Sequence, residues 1–296
     1  MDHREQMSTT RSPIVDIHTH VYPPSYVELL KSRSTIPYIR SSPPPSESLR
    51  LVILPAEETE STSRGRPVGA EYYDIHEKIK FMDTHSIDIS VISLANPWLD
   101  WVPKDEAARA AQEINDEVNG ECGRFPGRLF AFGTLPLSGG PEVMAREIAR
   151  LKGLAYMRGV ILGTTGLGKG LDDPELLPIF QCLQDAKLPV FLHPHYGLPG
   201  SVWGERAGDY GHVLPLALGF PLETTIAVTR MILSGASGEE RVMFGTDHPF
   251  FPPLDQEGGK WASVETNFVA IKGALGSSEQ ARGALGGNAI RVLNLA

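Results

Sequence analysis

The chain has 296 residues, of which 41% are hydrophobic and 21% charged, and its formal net charge is −9 at neutral pH. This length can bury one large core, and an acidic balance without a basic patch argues against nucleic-acid binding. No apolar stretch approaches the roughly 18 residues of a membrane span, and the two cysteines, Cys122 and Cys182, form no paired motif. We therefore expect a globular protein of the reducing cytoplasm (cytosol) with neither a nucleic-acid nor a membrane partner.

The first strand carries a histidine pair. Residues 1–13 are polar and are expected to form a disordered N-terminus, and a single domain is predicted over residues 14–296. Residues 14–22 begin as an apolar, β-branched run, which predicts a strand. His18 and His20 are spaced i and i+2, so their side chains point to the same side of that strand. Such a pair indicates a metal site, although the spacing also arises by chance.

A long insertion follows the first strand. After a short helix that ends near Ser32, residues 33–70 are irregular and rich in proline and polar residues. Only the run 51–54 is typical of a strand, and it could form one arm of a small hairpin. An insertion at this point of a barrel would lie over the mouth of the active site, so we predict a lid at about 33–70. For residues 55–65 a disordered surface loop is an equal alternative.

Helices and strands then alternate. Helices are predicted over 72–85, 104–122, 141–152 and 174–185, and strands over 87–95, 128–137, 158–162 and 188–193. This alternation is typical of repeated βα units and predicts a parallel sheet of the α/β class.

The alternation breaks after residue 195. One long helix, interrupted at Pro215 and Pro221, is predicted over 212–233, and the last strand over 241–244. Two further helices are predicted near 263–274 and 289–295. We count six barrel strands rather than eight, so two βα units are expected to be absent between Met231 and Gly238.

Two later strands also end in side chains that bind metals. The strand that begins at residue 188 ends in His193-Pro194-His195, and the last strand is followed by Asp247. In a parallel (β/α) barrel, the active site lies at the carboxyl ends of the strands. Imidazole and carboxylate together suit zinc or a similar ion.

The motifs together resemble a known family. His18-Thr19-His20 with Tyr22-Pro23-Pro24, Asn96-Pro97-Trp98, His193-Pro194-His195 and Gly245-Thr246-Asp247-His248-Pro249 are similar to the amidohydrolase superfamily. The branch is the one that contains aminocarboxymuconate-semialdehyde decarboxylase. Within it, the stretches 93–98, 161–177, 191–198 and 211–225 are most similar to the fungal uracil-5-carboxylate (isoorotate) decarboxylases.

The resemblance implies a (β/α)8 TIM-barrel-like metal-dependent hydrolase fold. It also implies one Zn²⁺ or Mn²⁺ ion per subunit, with His18, His20, His193 and Asp247 at the family's ligand positions. Homodimers are a further expectation.

One departure from the family concerns strands six and seven. The family carries an Ala-His-Ser-Gly-Gly segment at the end of strand six, and the histidine of that segment helps catalysis. None of the nine histidines of this chain stands in that context. The chain therefore resembles a family member from which strands six and seven have been deleted.

Further residues are candidates for the site. A carboxylate beside the metal can also relay a proton, so Asp247 is the candidate catalytic acid, and His212 is a candidate pocket residue with a catalytic role. Candidate substrate-binding residues are Arg66, Asn96, Trp98, His195 and Phe250. A guanidinium suits a carboxylate through two parallel hydrogen bonds, although Arg66 could equally be solvated. Trp98 could equally be core packing, and His195 structural.

Three functions stay open at this point. The first is a metal-dependent, non-oxidative decarboxylase of an aromatic or pyrimidine carboxylic acid, either uracil-5-carboxylate or a salicylate-type acid. The second is a hydrolase of the same superfamily, such as a lactonase that uses metal-bound hydroxide. The third is a catalytically impaired, truncated family member, because removing two strands exposes edges that a closed barrel abolishes.

Overall fold

A computed structural model describes residues 12–42, 48–58, 64–210, 213–234, 244–249, 261–274 and 278–295. The predicted disordered N-terminus falls almost entirely outside these residues. None of the helices in the described ranges combines the length and the apolar character needed to cross a bilayer.

A parallel five-stranded sheet forms the centre of the fold, in the order β1-β5-β6-β7-β8. Its strands are β1 Val15–Val21, β5 Ile89–Leu94, β6 Leu129–Gly133, β7 Met157–Gly163 and β8 Val190–His193. The first four of these strands are largely buried, as expected for a parallel sheet that is covered on both faces. The predicted alternation of strands and helices, and the parallel sheet that it implied, are confirmed.

Ten α-helices occur in the described ranges. They are α1 Pro24–Lys31, α2 Ala70–Tyr73, α3 Ile75–Thr84, α4 Ala107–Arg124, α5 Pro141–Leu151, α6 Leu177–Ala186, α7 Phe220–Leu233, α8 Ala262–Ala274, α9 Ser278–Arg282 and α10 Asn288–Leu293. The prediction of one helix over 72–85 is wrong, because Asp74 ends α2 and caps α3, where its side chain accepts a hydrogen bond from the backbone N–H of His76 at 2.9 Å. The helix predicted over 212–233 is interrupted near Pro215, which lies in a π-helical stretch, Val213–Gly219, whereas Pro221 stands in the first turn of α7.

An extended segment pairs with the outer edge of β1. The backbone N–H of Ile17 donates to the carbonyl of Phe244 at 3.0 Å, and that of His20 donates to the carbonyl of His248 at 2.6 Å. Thr19 and His248 form a parallel bridge. Residues 241–243 of the predicted last strand lie outside the described residues, but Phe244 and the residues after it take the place of a strand next to β1.

The barrel is incomplete over the described residues. No described strand pairs with the outer edge of β8, where the side chains of Val190, Phe191 and Leu192 are only partly buried. Residues of α7 and of β8 line a common cavity. The sheet is therefore a half-barrel, and the loss of two units between Met231 and Gly238 remains a prediction.

The insertion after β1 is more regular than its composition indicates. It holds an antiparallel sheet of β2 Tyr38–Ser41, β3 Leu49–Val52 and β4 Arg66–Val68. The prediction of a largely irregular segment is therefore wrong, but the hairpin arm suggested for the run 51–54 corresponds to β3, which pairs antiparallel with β2 and β4. Strands of three or four residues are too short for the alternation of apolar and polar residues to show in the sequence. The role of this sheet as a lid remains a prediction.

Candidate metal centre

Strand β1 supplies two imidazoles to the carboxyl end of the sheet. His18 and His20 lie on the same side of the strand, with ring centroids 5.1 Å apart and the rings nearly perpendicular. The hydroxyl of Ser93, on the neighbouring β5, contacts Nδ1 of His20 at 2.9 Å. This contact directs the Nε2 atom of His20 towards the centre of the site.

His193 supplies a third imidazole from the end of β8. Its Nδ1 lies 2.7 Å from the carbonyl oxygen of Pro194 and can donate to it, which leaves Nε2 as the potential ligand. The His193 ring centroid is 5.0 Å from those of both His18 and His20. The indole of Trp98 packs edge-on against His193, with ring centroids 5.4 Å apart.

Asp247 completes the cluster from the segment beside β1. Its Oδ1 lies 3.2 Å from Nε2 of His18 and 3.1 Å from Nε2 of His20. The ligand atoms of His18, His20, His193 and Asp247 all lie within 4.8 Å of one another. The four predicted ligands therefore converge on a single point at the carboxyl end of the sheet.

Burial and charge shift the titration of these groups in opposite directions. Burial alone would raise the pKa of Asp247, but the adjacent His18 and His20 outweigh it and hold that pKa far below its usual value. Burial lowers the pKa of His20 to about 4 and that of His193 well below its usual value. Burial also opposes the charged form of His18, but Asp247 outweighs it and raises that pKa. At neutral pH, the carboxylate of Asp247 thus lies beside the neutral imidazoles of His20 and His193, and this combination suits a cation.

The donor set fits a divalent metal ion. The Nε2 atom of His193 is buried and has no hydrogen-bond partner within the described part of the chain. An unpaired buried nitrogen atom is costly in a folded protein, and a metal ion would satisfy it. Three imidazole nitrogens and a carboxylate oxygen are typical ligands of zinc and related ions.

A buried carboxylate behind the metal ligands was not predicted from the sequence. Asp16 accepts hydrogen bonds from the backbone N–H of His18 at 3.1 Å and from the hydroxyl of Thr246 at 2.6 Å. Burial raises the pKa of Asp16 to about 6. Asp16 thereby joins β1 to the segment that bears Asp247.

A cavity of about 610 Å³ opens directly above the cluster. Its floor holds His18, His193 and Asp247. One wall is formed by β8 and the other mainly by α7, through Leu216, Phe220, Pro221, Thr224, Thr225, Val228 and Thr229. This cavity is large enough for a single aromatic or pyrimidine ring, and its walls are mostly apolar.

Glu223 fastens α7 to the loops at the cavity. This buried carboxylate accepts hydrogen bonds from the backbone N–H of His195 at 3.0 Å, from that of Gly197 at 2.9 Å and from the hydroxyl of Thr164. This role could not be predicted from the sequence, because the partners of Glu223 lie in the loops after β7 and β8.

The predicted substrate residues are distributed around the site. Arg66 pairs with the buried Glu57 within the insertion, with Nε 2.6 Å from Oε1. Trp98 is buried and contacts His193 and His195. The side-chain amide of Asn96 donates to the carbonyl of His195.

His195 is buried, and its two ring nitrogens face residues other than the four ligands. Its Nδ1 contacts the hydroxyl of Thr165, and its Nε2 lies 3.6 Å from Oδ1 of Asp100. His212 and Phe250 lie outside the described residues.

The sequence matches a known family. Residues 15–237 match the amidohydrolase family. The chain is 26% identical over 226 residues to the 2-amino-3-carboxymuconate-6-semialdehyde decarboxylase of Dictyostelium discoideum. The matched region covers 76% of this chain and 59% of that protein. The chain thus spans about three fifths of the length of this curated relative.

Solved structures resemble the whole described fold. The crystal structure of Metarhizium anisopliae IDCase (isoorotate decarboxylase) in apo form is 45% identical to this chain, with a TM-score of 0.89 and coverage of 98% of this chain and 99% of that one. A dihydroxybenzoic acid decarboxylase from Polaromonas, crystallised with manganese and an inhibitor, is 16% identical, with a TM-score of 0.64 and coverage of 96% and 98%. The second likeness concerns the fold alone.

Proposed function

Because the chain belongs to the amidohydrolase family, we propose that it is a metal-dependent, non-oxidative decarboxylase of an aromatic or pyrimidine carboxylic acid. One observation carries the proposal: three imidazoles and Asp247 converge on one point, beside a cavity large enough for a single ring, in a chain that is 45% identical to IDCase. Uracil-5-carboxylate is accordingly the first candidate substrate, and salicylate-type acids are the second.

We assign the metal to His18, His20, His193 and Asp247. Zinc and manganese are both candidates, since the ligand set accepts either ion and the Polaromonas decarboxylase was crystallised with manganese. A bound ion would supply positive charge that holds the substrate carboxylate and a neighbouring ring oxygen. The apolar walls from Phe191, Phe220 and Val228 would then enclose the ring and exclude water.

Asp247 is the proposed proton carrier. Its lowered pKa keeps it ionised in the free protein, so it must first accept a proton, for which an acidic O–H or N–H of the substrate is a source. The carboxyl group of Asp247 then delivers this proton to the ring carbon that bears the substrate carboxylate. The bond from the ring to that carboxylate breaks, its electron pair returns to the ring, and carbon dioxide leaves. No oxidant or reductant is required.

The remaining candidate residues would bind the substrate or orient the metal ligands. Arg66 would have to exchange Glu57 for the substrate carboxylate, and Trp98 supports the orientation of His193 through its ring contact. Substrate contact by Asn96 and His195 is proposed on the basis of their place beside the ligands. A homodimer and a cytosolic location, both expected from the sequence, remain predictions.

The test uses the full chain loaded separately with zinc and with manganese. Each form is incubated with uracil-5-carboxylate and with 2,6-dihydroxybenzoate, and the products are analysed for carbon dioxide and for ring-opened compounds. Metal-dependent release of carbon dioxide from either acid supports the proposal. Ring opening without carbon dioxide would identify a hydrolase instead. A metal-loaded protein that changes neither acid would indicate an impaired family member.

A further inference from the structure

Helix α3 places a lysine inside the core, directly behind the metal ligands. The side chain of Lys78 is fully buried. Its ammonium group donates to the hydroxyl of Thr19 at 2.7 Å, to Nδ1 of His248 at 2.5 Å and to the carbonyl of His248 at 3.3 Å. All three ammonium protons therefore have acceptors, as a buried lysine requires.

Both partners of Lys78 are neighbours of metal ligands in the sequence. Thr19 lies between His18 and His20, and because side chains alternate along a strand, its hydroxyl points away from these two imidazoles and towards Lys78 of α3. His248 directly follows Asp247. Lys78 thus connects the strand that carries two ligands with the segment that carries a third.

The carbonyl group of His248 is the centre of this connection. In addition to Lys78, it accepts hydrogen bonds from the backbone N–H of His20 at 2.6 Å and from the hydroxyl of Thr19 at 3.2 Å. The imidazole of His248 also accepts one of the ammonium protons, at its Nδ1 atom. The rings of Phe81 and Trp261 pack against this imidazole, with centroids 3.9 and 4.5 Å away.

The backbone of Asp247 needs such support. Its φ angle is +60°, in the left-handed region that side-chain-bearing residues seldom adopt. A conformation of this kind persists when neighbouring contacts determine it. The contacts that Lys78, Thr19 and His20 make to the next residue hold the chain in the position that directs the carboxylate of Asp247 towards His18 and His20.

We propose that Lys78 is a positioning residue of the metal centre, which fixes Asp247 against His18 and His20 by fastening His248 to Thr19. It touches neither substrate nor metal, and it acts through the geometry of the ligands. The inference rests on the metal-binding part of the proposed function and does not depend on which acid is the substrate. It predicts that loss of the ammonium group weakens metal binding more than it weakens the apo fold.

The experiment measures Co²⁺ binding to the full chain, by competition with a chelating dye and by the visible spectrum of the bound ion. Lys78→Met keeps length and apolar volume but removes all three donors. Thr19→Val and Thr19→Ser form a matched pair, of which only the serine retains the hydroxyl. Ile148→Ala, in the buried face of α5 away from the site, lowers stability by leaving a cavity and serves as the control for a general loss of stability.

We expect Lys78→Met to lower the affinity for Co²⁺ by about 10- to 100-fold and to change the spectrum, as is typical when a residue that supports a metal ligand is lost. Thr19→Val should follow in the same direction, whereas Thr19→Ser and Ile148→Ala should retain the wild-type affinity. If Lys78→Met does not fold, the threonine pair decides the question.

Wild-type affinity and spectrum in Lys78→Met, or in Thr19→Val if the lysine variant does not fold, would overturn the role of Lys78 and leave the proposed function standing. A wild-type chain that binds no Co²⁺ would overturn both the metal site and the role of Lys78.

Discussion

His20 and Asp247 come from opposite ends of the chain, yet Nε2 of the first lies 3.1 Å from Oδ1 of the second. The proximity follows from the pairing of Thr19 with His248, which places the segment after Phe244 along the free edge of β1. Neither residue alone makes a metal site. Together with His193 from β8, three parts of the chain present ligand atoms to one point. A cation there would link β1 and β8, the two outermost strands of the five-stranded sheet.

Metal binding should therefore stabilise the fold measurably. After treatment with a chelator, addition of Zn²⁺ or Mn²⁺ at about 100 times its Kd should raise the free energy of unfolding by about 2.7 kcal/mol. His193→Ala should abolish most of this gain, because it removes one ligand and a bond between β8 and the rest of the site. His76→Ala, at an exposed histidine on α3, is the matched control and should keep the full gain. Thermal unfolding with and without metal makes the comparison, and equal stabilisation of both variants would contradict the assigned ligand set.

The catalytic role of Asp247 predicts a loss of turnover that is larger than the loss of metal. Asp247→Asn keeps an oxygen that can coordinate the ion but cannot carry the proton. We expect kcat for the accepted acid to fall by about 100- to 10,000-fold, the range of a general acid. Metal content, measured by elemental analysis, should stay close to that of the wild type. Asp185→Asn on the exposed surface should change neither quantity, and normal turnover by a metal-loaded Asp247→Asn would exclude the proton-carrier role.

The convergence of the four candidate ligands could be predicted because each of them stands at or near the end of an apolar run in the sequence. A strand end is visible as the end of an apolar run, and all parallel strands bring their carboxyl ends to the same edge. Lys78, Asp16 and Glu223 were missed for the opposite reason, since each has partners that come close only after the sheet has formed. On their helices α3 and α7, Lys78 and Glu223 also look like surface residues of an amphipathic pattern.

Two of the three strands of the insertion were missed for a similar reason, because their pairing depends on other parts of the chain. In β2, β3 and β4 the register pairs Tyr38 with Val52 and Leu49 with Val68, and these pairs are defined by partners on other strands. A strand of three or four residues contains too few alternating positions to distinguish it from a loop. The bounds of α5 and α8, with long runs of their own, could by contrast be predicted within a residue or two.

The hydrogen bonds of Glu223 predict a stability effect from a change of one atom. Glu223→Gln replaces an acceptor by an N–H₂ donor that would face the backbone N–H groups of His195 or Gly197. Loss of hydrogen bonds to a charged group should lower the free energy of unfolding by about 1.5–3 kcal/mol. Glu175→Gln, at an exposed carboxylate paired with Lys169, should change it by less than about 0.5 kcal/mol. Urea unfolding of both variants measures the difference. Similar losses in the free energy of unfolding would show that the hydrogen bonds of Glu223 do not stabilise the fold.

Two glycines predict opposite results for the same substitution. A Cβ at Gly245 would lie 2.0 Å from Cβ of His18, so Gly245→Ala must push β1 and the ligand-bearing segment apart. We expect loss of metal binding together with lowered stability. At Gly120, in the exposed part of α4, a Cβ meets nothing within 4 Å, and alanine should stabilise the helix by about 1 kcal/mol. Metal titration and urea unfolding distinguish the two, and a Gly245→Ala variant that binds metal normally would contradict the close approach of these segments.

The loss of stability at acidic pH should depend in part on Asp100. Its Oδ2 accepts a hydrogen bond from the hydroxyl of Tyr196 at 2.8 Å. Burial opposes ionisation, but the contacts with His195 and Tyr196 outweigh it and lower the pKa of Asp100. Because this folded-state pKa lies below the unfolded value of about 3.9, the carboxylate stabilises the fold above that pH, and the stabilisation is lost as the pH falls through the folded-state pKa. Asp100→Asn should thus cost about 1.5–3 kcal/mol at pH 7 and less at pH 3. Urea unfolding at both pH values tests this, and a cost that did not change with pH would mean that ionisation of Asp100 does not stabilise the fold.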